Sequence, residues 1–148
     1  MKVAVLMGSP NDKDKMAGAA QMLERFGIEV DERVLSAHRN PAEVTALASS
    51  LRQNGYAAAI CGAGMAAHLA GVVAAHTTLP VIGVPLSGGA LNGVDALYST
   101  VQMPKGIPVA TVAVDGSANA GILVAEMLSI TDDDIAKKLD EFRAAGAR

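Results

Sequence analysis

Short runs of unbroken apolar residues alternate along this chain with longer stretches in which apolar positions return every three or four residues. Residues 3–7 form the first run, apolar throughout, as a strand buried on both faces must be. After Gly8-Ser9-Pro10-Asn11-Asp12, residues Met16, Ala20, Leu23 and Phe26 recur at helical spacing, and Gly27 supplies a stop. The next run differs. Val30, Glu32 and Val34 alternate with Asp31, Arg33 and Leu35, a polar content that predicts an edge strand. Ser36-Ala37-His38-Arg39-Asn40 follows, with Asn40 placed to cap a helix starting at Pro41 and Glu43 completing a capping-box pattern. Val44, Leu47, Ala48 and Leu51 make that helix's inner stripe, and Asn54-Gly55 ends it.

A third strand, 57–60, is predicted to empty into a turn of four small residues, Cys61-Gly62-Ala63-Gly64. A helix follows with His68 just inside it and runs to about His76. Residues 81–84 form a fourth buried strand that opens into a polar, glycine-rich stretch from Pro85 to Gly93. Val94, Leu97, Tyr98 and Val101 make a short helix closed by Met103-Pro104, and 109–114 is the fifth strand. Two helices end the chain, 118–128 and 132–144, the second with Thr131 placed to cap it and Asp132, Asp133 and Asp134 in its first turn.

Five strand–helix alternations with crossover-length connections predict an α/β fold: a doubly wound, three-layer sandwich on a five-stranded parallel sheet. With the second strand at an edge, the flavodoxin-like order 2-1-3-4-5 fits best, and residues 1–148 read as one domain. The last helix exceeds what such a unit requires. Its face of Ile135, Leu139 and Phe142 suits packing on another subunit or, equally, on its own domain.

Composition narrows the partners. Aromatics are only 3% against 51% hydrophobic residues, so the core is built from Ala, Val, Ile, Leu and Met. A net charge of −3 argues against a nucleic-acid surface. Cys61 is the single cysteine, which rules out an internal disulfide and reads as a small buried hydrophobe. No metal-ligand spacing, signal-peptide cleavage pattern or membrane-length apolar segment is present, so a reducing, cytoplasmic setting is expected.

In a doubly wound sheet the turns after the strands converge on one cleft. Here they deliver Ser9 and Asp12, then Ser36, His38 and Arg39, then Gly62-Ala63-Gly64 with His68, then Ser87 with Gly88 and Gly89. Hydroxyls, a guanidinium and helix starts suit a phosphate monoester, a carboxylate suits a ribose diol, and the histidines can move protons near neutral pH. Plainer roles compete. One of Ser9, Asn11 and Asp12 can simply cap the first helix, Arg39 can serve a surface ion pair, and His76 reads as structural. Gly62-Ala63-Gly64 is neither a Walker loop nor the dinucleotide fingerprint. A receiver-type signalling domain would need clustered acids after the first strand and a lysine after the fifth, whereas Asp12 stands alone and Asp115-Gly116 offers none.

Four segments carry a closer likeness: Gly8-Ser9 with Asp12; Ser36-Ala37-His38-Arg39 with Pro41; Gly62-Ala63-Gly64 with Ala66-Ala67-His68-Leu69 and Gly71; and 91–109 with Leu91-Asn92-Gly93-Val94-Asp95-Ala96-Leu97-Tyr98-Ser99 and Val101-Gln102-Met103-Pro104. Together they resemble the catalytic subunit of the phosphoribosylaminoimidazole carboxylases and, more narrowly, their bacterial branch, the N5-carboxyaminoimidazole ribonucleotide mutases. The resemblance implies an isomerase of purine biosynthesis that moves a carboxylate from an exocyclic nitrogen to ring carbon C4 of an aminoimidazole ribonucleotide, with no metal or organic cofactor. It implies that Ser9, Asp12, Ser36, Ala37 and Arg39 hold the nucleotide, Arg39 on the 5′-phosphate. His38 matches the family's proton shuttle and His68 lies in the shielding loop, while Gly62, Ala63, Gly64 and Leu69 form a small-residue pocket. It further implies a homo-octamer in which the C-terminal helix reaches a neighbour, and functional coupling to the ATP-dependent synthetase that makes the substrate. Neither nucleic acid nor membrane is an expected partner. The Ala-Ala-His-Leu segment at 66–69 sides with the mutase over the sister branch, which carboxylates the ribonucleotide directly with CO2. A non-catalytic phosphate-ligand sensor would use Arg39 and the helix starts but need no histidine. The chain departs from the family pattern at Pro10-Asn11, at Met65, which stands for a glycine, and at Ala70, which stands for a proline.

Overall fold

The computed structural model describes residues 1–148. Strands β1 (Lys2–Met7), β2 (Glu29–Val34), β3 (Tyr56–Gly64), β4 (Val81–Leu86) and β5 (Ala110–Thr111) form one parallel sheet in the order β2-β1-β3-β4-β5. Around it lie α1 (Lys13–Arg25), α2 (Pro41–Ser50), α3 (Leu69–His76), α4 (Val94–Val101), α5 (Ser117–Ser129) and α6 (Asp133–Ala144). The expected three-layer α/β architecture and strand order are both present.

The unbroken apolar runs are explained by two cores, one on each face of the sheet. Along β1, Val3, Val5 and Met7 enter the core shared with α1, α5 and α6, while Ala4 and Leu6 enter the core shared with α2 and α3. A strand side chain changes face at every residue, so a central strand covered on both sides has no polar position to spare. β2 lies at the edge with mostly exposed or half-exposed residues, as its alternation predicted. Between α1 and α5 the packing is closer than side chains allow: a Cβ on Gly121 would stand 2.7 Å from the Ala19 carbonyl oxygen.

Several local expectations change. Residues 61–64 are not the turn but the end of β3, pairing in register from Cys61↔Gly83 to Gly64↔Leu86. Small residues are needed there for packing: the Met16 sulfur already fills the space a Cβ on Gly62 would take. The chain turns at Met65, whose φ is +50, in the left-handed region that favours glycine. His68 is therefore the N-cap residue of α3 and stands just outside the helix. Strand β5 shrinks to Ala110–Thr111, although Val112 N–H still donates to Gly83 O and Asp115 N–H to Pro85 O.

Both expected caps also differ. Asn40 makes no side-chain cap; its Oδ1 accepts from Ser36 N–H at 3.4 Å and its Nδ2 donates to Glu43 Oε1 at 3.3 Å, bracing the turn instead. Helix α6 is capped by Asp132, not Thr131, its Oδ1 accepting from the N–H groups of Asp134 and Ile135. Of the two destinations open to the face of α6, the structure takes its own domain. Ile135, Leu139 and Phe142 enter the α1/α5 core, with Phe142 edge-on to Phe26 at 5.6 Å, so that face is not offered to a neighbouring subunit. No helix is long and apolar enough to cross a membrane.

Candidate active site

Every strand in this sheet points the same way, so the loops that follow β1, β2, β3 and β4 gather at one edge, where hydrogen bonds and close contacts lace them together. The Gly8 N–H donates to the Gly62 carbonyl at 3.1 Å, joining the first loop to the third. Ser9 Oγ accepts from Asn11 N–H at 3.2 Å and so caps the 3-10 turn Pro10–Asp12 that leads into α1. Asp12 follows, its carboxylate close above Gly8. Partial burial raises its pKa, opposed by the Ser9 backbone hydrogen bond and the charge of Lys15.

The second loop is folded on a hydroxyl. Ser36 Oγ accepts from the N–H groups of both His38 and Arg39, each at 3.3 Å, which presents the two side chains outward. Arg39 is exposed and takes part in none of the ion pairs of the chain, leaving its guanidinium free for an anion. His38 meets the third loop: its Nε2 lies 2.7 Å from Nδ1 of His68, with the rings edge-to-face at 4.9 Å. One hydrogen occupies that contact, so one ring donates and the other accepts, and each keeps a second nitrogen for a ligand.

Beside the histidines the edge is lined by little more than backbone. Ala63 and Gly64 are half-exposed at the end of β3, while Gly62 is buried. Leu69 is 2% exposed, its side chain in the α2/α3 core, so it supports this surface from beneath. Cys61 is fully buried, which pushes its thiol up to about 12 and leaves it inert, as expected of a small buried hydrophobe. His76 is far from this edge, at the end of α3, bonded through Nδ1 to the Val72 carbonyl at 2.9 Å.

On the other flank, Ser87 is joined by two residues that sequence reasoning missed. The Lys15 ammonium donates to the Ser87 carbonyl at 2.5 Å and to Ser87 Oγ at 2.8 Å, and the Ser87 N–H donates to Asp115 Oδ1 at 2.9 Å. Partial burial works to raise the Asp115 pKa, but the Ser87 hydrogen bonds and the Lys15 charge outweigh it and hold the carboxyl below its usual range. One signal was available: a lysine in the first turn of a helix opposes the helix dipole and calls for a partner.

The structure thus brings Ser36, Ala37, His38, Arg39 and His68 together on one side of the groove. Ser9, Asp12 and the end of β3 lie in the middle, and Ser87 lies opposite. A cavity of about 1000 Å³ lies elsewhere, at the start of β4 between α2, α3 and residues 106–110. It holds none of the candidate residues, and the Arg52 guanidinium on its wall is already bonded to Thr78.

Comparison with known proteins gives this groove a context. Residues 2–148 match the family described as AIR carboxylase. The chain is 50% identical over 146 residues to the N5-carboxyaminoimidazole ribonucleotide mutase of Vibrio vulnificus, covering 97% of this chain and 91% of that one. It is 51% identical over 140 residues to the phosphoribosylaminoimidazole carboxylase of Candida glabrata, covering 95% of this chain but 25% of that longer one. Among solved structures, PurE from Treponema denticola superposes with a TM-score of 0.89 at 30% identity, covering 99% of this chain and 91% of that one.

Proposed function

This chain belongs to the AIR carboxylase family, and from that premise we infer that it is an isomerase of purine biosynthesis, converting N5-carboxyaminoimidazole ribonucleotide to its 4-carboxy isomer. The mutase reading is favoured over direct carboxylation because the mutase relatives match from end to end. The named carboxylase matches over only a quarter of its length.

The observation that carries the site assignment is the His38–His68 contact at the loop edge of the sheet, with the unpaired Arg39 guanidinium in the same loop and small residues at the end of β3. Arg39, with the Ser36 hydroxyl and the start of α2, suits the 5′-phosphate; Ser9 and Asp12 suit the ribose. The heterocycle then lies against Gly62, Ala63 and Gly64, where side chains are too small to hold it off. His38 protonates the exocyclic nitrogen, the N–C bond breaks with its electron pair kept by nitrogen, and the carboxylate oxygen closes the second C=O of the released CO2. Carbon C4 attacks the retained CO2, and the hydrogen displaced from C4 returns to His38. His68, bonded to the other side of the imidazole, orients that ring and covers the reacting groups. Keeping CO2 in place makes its recapture local rather than bimolecular, an advantage of several kcal/mol, on the order of 7–11 at best.

The same reading makes the working form a cytoplasmic homo-octamer supplied by the ATP-dependent synthetase upstream. Support for assembly comes from the apolar side of α4, where Val94, Tyr98 and Val101 stand 45–63% exposed beside the exposed Leu91 and Met65. Sedimentation giving only a 15.0 kDa species overturns the octamer. For the reaction, N5-carboxyaminoimidazole ribonucleotide is supplied without bicarbonate and product absorbance followed. Conversion is expected; turnover only from the unmodified ribonucleotide plus bicarbonate would establish the carboxylase instead.

A further inference from the structure

Three segments meet at Lys15, and the chemistry above makes no use of it. Its carbonyl accepts the Ser117 hydroxyl at 2.6 Å, which ties its backbone to the start of α5. Its ammonium crosses to the loop after β4 and takes both the carbonyl and the hydroxyl of Ser87. Asp115, at φ +58, accepts the remaining Ser87 amide and lies 3.9 Å from the ammonium. Ser87 is therefore gripped at amide, carbonyl and side chain at once. The chain leaves this anchor through Gly88 and Gly89. A Cβ built on Gly89 would stand 3.2 Å from Met65 Cγ, so the loop rests on the Met65 side chain. Met65 opens the turn that ends at His68.

Lys15 and Asp115 are each more than a third exposed, and such pairs add little to stability. What the arrangement supplies is position. We propose that Lys15 is a positioning residue for the reaction: by gripping Ser87 it sets Gly88-Gly89 against Met65 and so holds the turn bearing His68 down over the pocket that retains CO2. This rests on the mutase reading of the groove. With the grip released, residues 65–68 lose their outer support and the pocket opens to water.

Lys15→Met keeps the length of the side chain and removes its donors. The expected result is a fall in kcat of about tenfold to a hundredfold, with KM for the nucleotide within about twofold because Lys15 does not serve the phosphate. In buffer containing carbon-13 bicarbonate, the fraction of labelled product rises as CO2 exchanges with solvent. Ser87→Ala, which deletes only the hydroxyl contact, shifts both readouts the same way but less, and Lys15→Arg restores part of kcat. Independently of turnover, the methyl resonance of Met65, identified as the one lost in Met65→Leu, moves in Lys15→Met. An unmoved Met65 resonance overturns the proposal, as does a raised KM at unchanged kcat. Wild-type protein that fails to convert N5-carboxyaminoimidazole ribonucleotide overturns the reading of the groove instead, and the Met65 resonance still decides whether Lys15 holds the turn.

Discussion

In the proposed site, Asp12 and His38 are assigned two different tasks, one in binding and one in proton transfer. Burial raises the Asp12 pKa, so folding at neutral pH confines a charge that would rather be hydrated. A carboxyl whose pKa is higher folded than unfolded stabilises the fold only below its unfolded value, and that contribution is lost as pH rises through the folded value. At neutral pH Asp12 is accordingly a cost. Asp12→Asn is expected to raise the Tm at pH 7, with the gain shrinking as pH falls through the raised folded value and gone once pH is below the ordinary carboxylate value, while KM rises on the order of tenfold. A Tm difference independent of pH would refute this account. For His38, the prediction concerns chemistry alone. His38→Asn leaves the fold intact and lowers kcat by about a hundredfold or more. Turnover of His38→Asn near the parent's rate would remove His38 from the proton-transfer role.

Among the elements, the pairing of α1 with α5 sets the geometry of the site's first flank, because α1 begins where Asp12 ends and carries Lys15. Gly121 faces the Ala19 carbonyl with no room for a methyl. Gly121→Ala forces the helices apart and is expected to destabilise by about 1–3 kcal/mol, measured by denaturant unfolding. At this scale much was legible beforehand. Continuous apolar runs identified the buried strands, the polar alternation of 30–35 identified the edge, and glycine and proline marked most helix ends. The misreadings share one physical cause. Sequence shows that Cys61-Gly62-Ala63-Gly64 is small, but not that smallness serves the Met16 side chain rather than a bend. It shows that Asn40 and Thr131 can cap, but not that Asn40 is needed to brace its own turn or that Asp132 is better placed. The Lys15–Ser87 contact joins residues 72 positions apart, and a lysine in the first turn of α1 shows locally that a partner is wanted but not which one.

For the molecule as a whole, strand polarity is what turns scattered motifs into one groove: a parallel sheet sends every loop after a strand to the same edge. Cys61 sits on the central strand of that sheet and is the chain's only thiol, buried in the core between the sheet and the α2/α3 layer. It therefore acts as a built-in clock. A thiol reagent can reach the sulfur only after the α2/α3 layer has lifted from the sheet, so the alkylation rate reports how often that core opens. Nucleotide seated in the groove stabilises the closed form by mass action, and saturating it a hundredfold above Kd should slow labelling by about the same factor where reclosing is fast. The only thiol in the protein thus offers a direct measure of ligand affinity that needs no turnover.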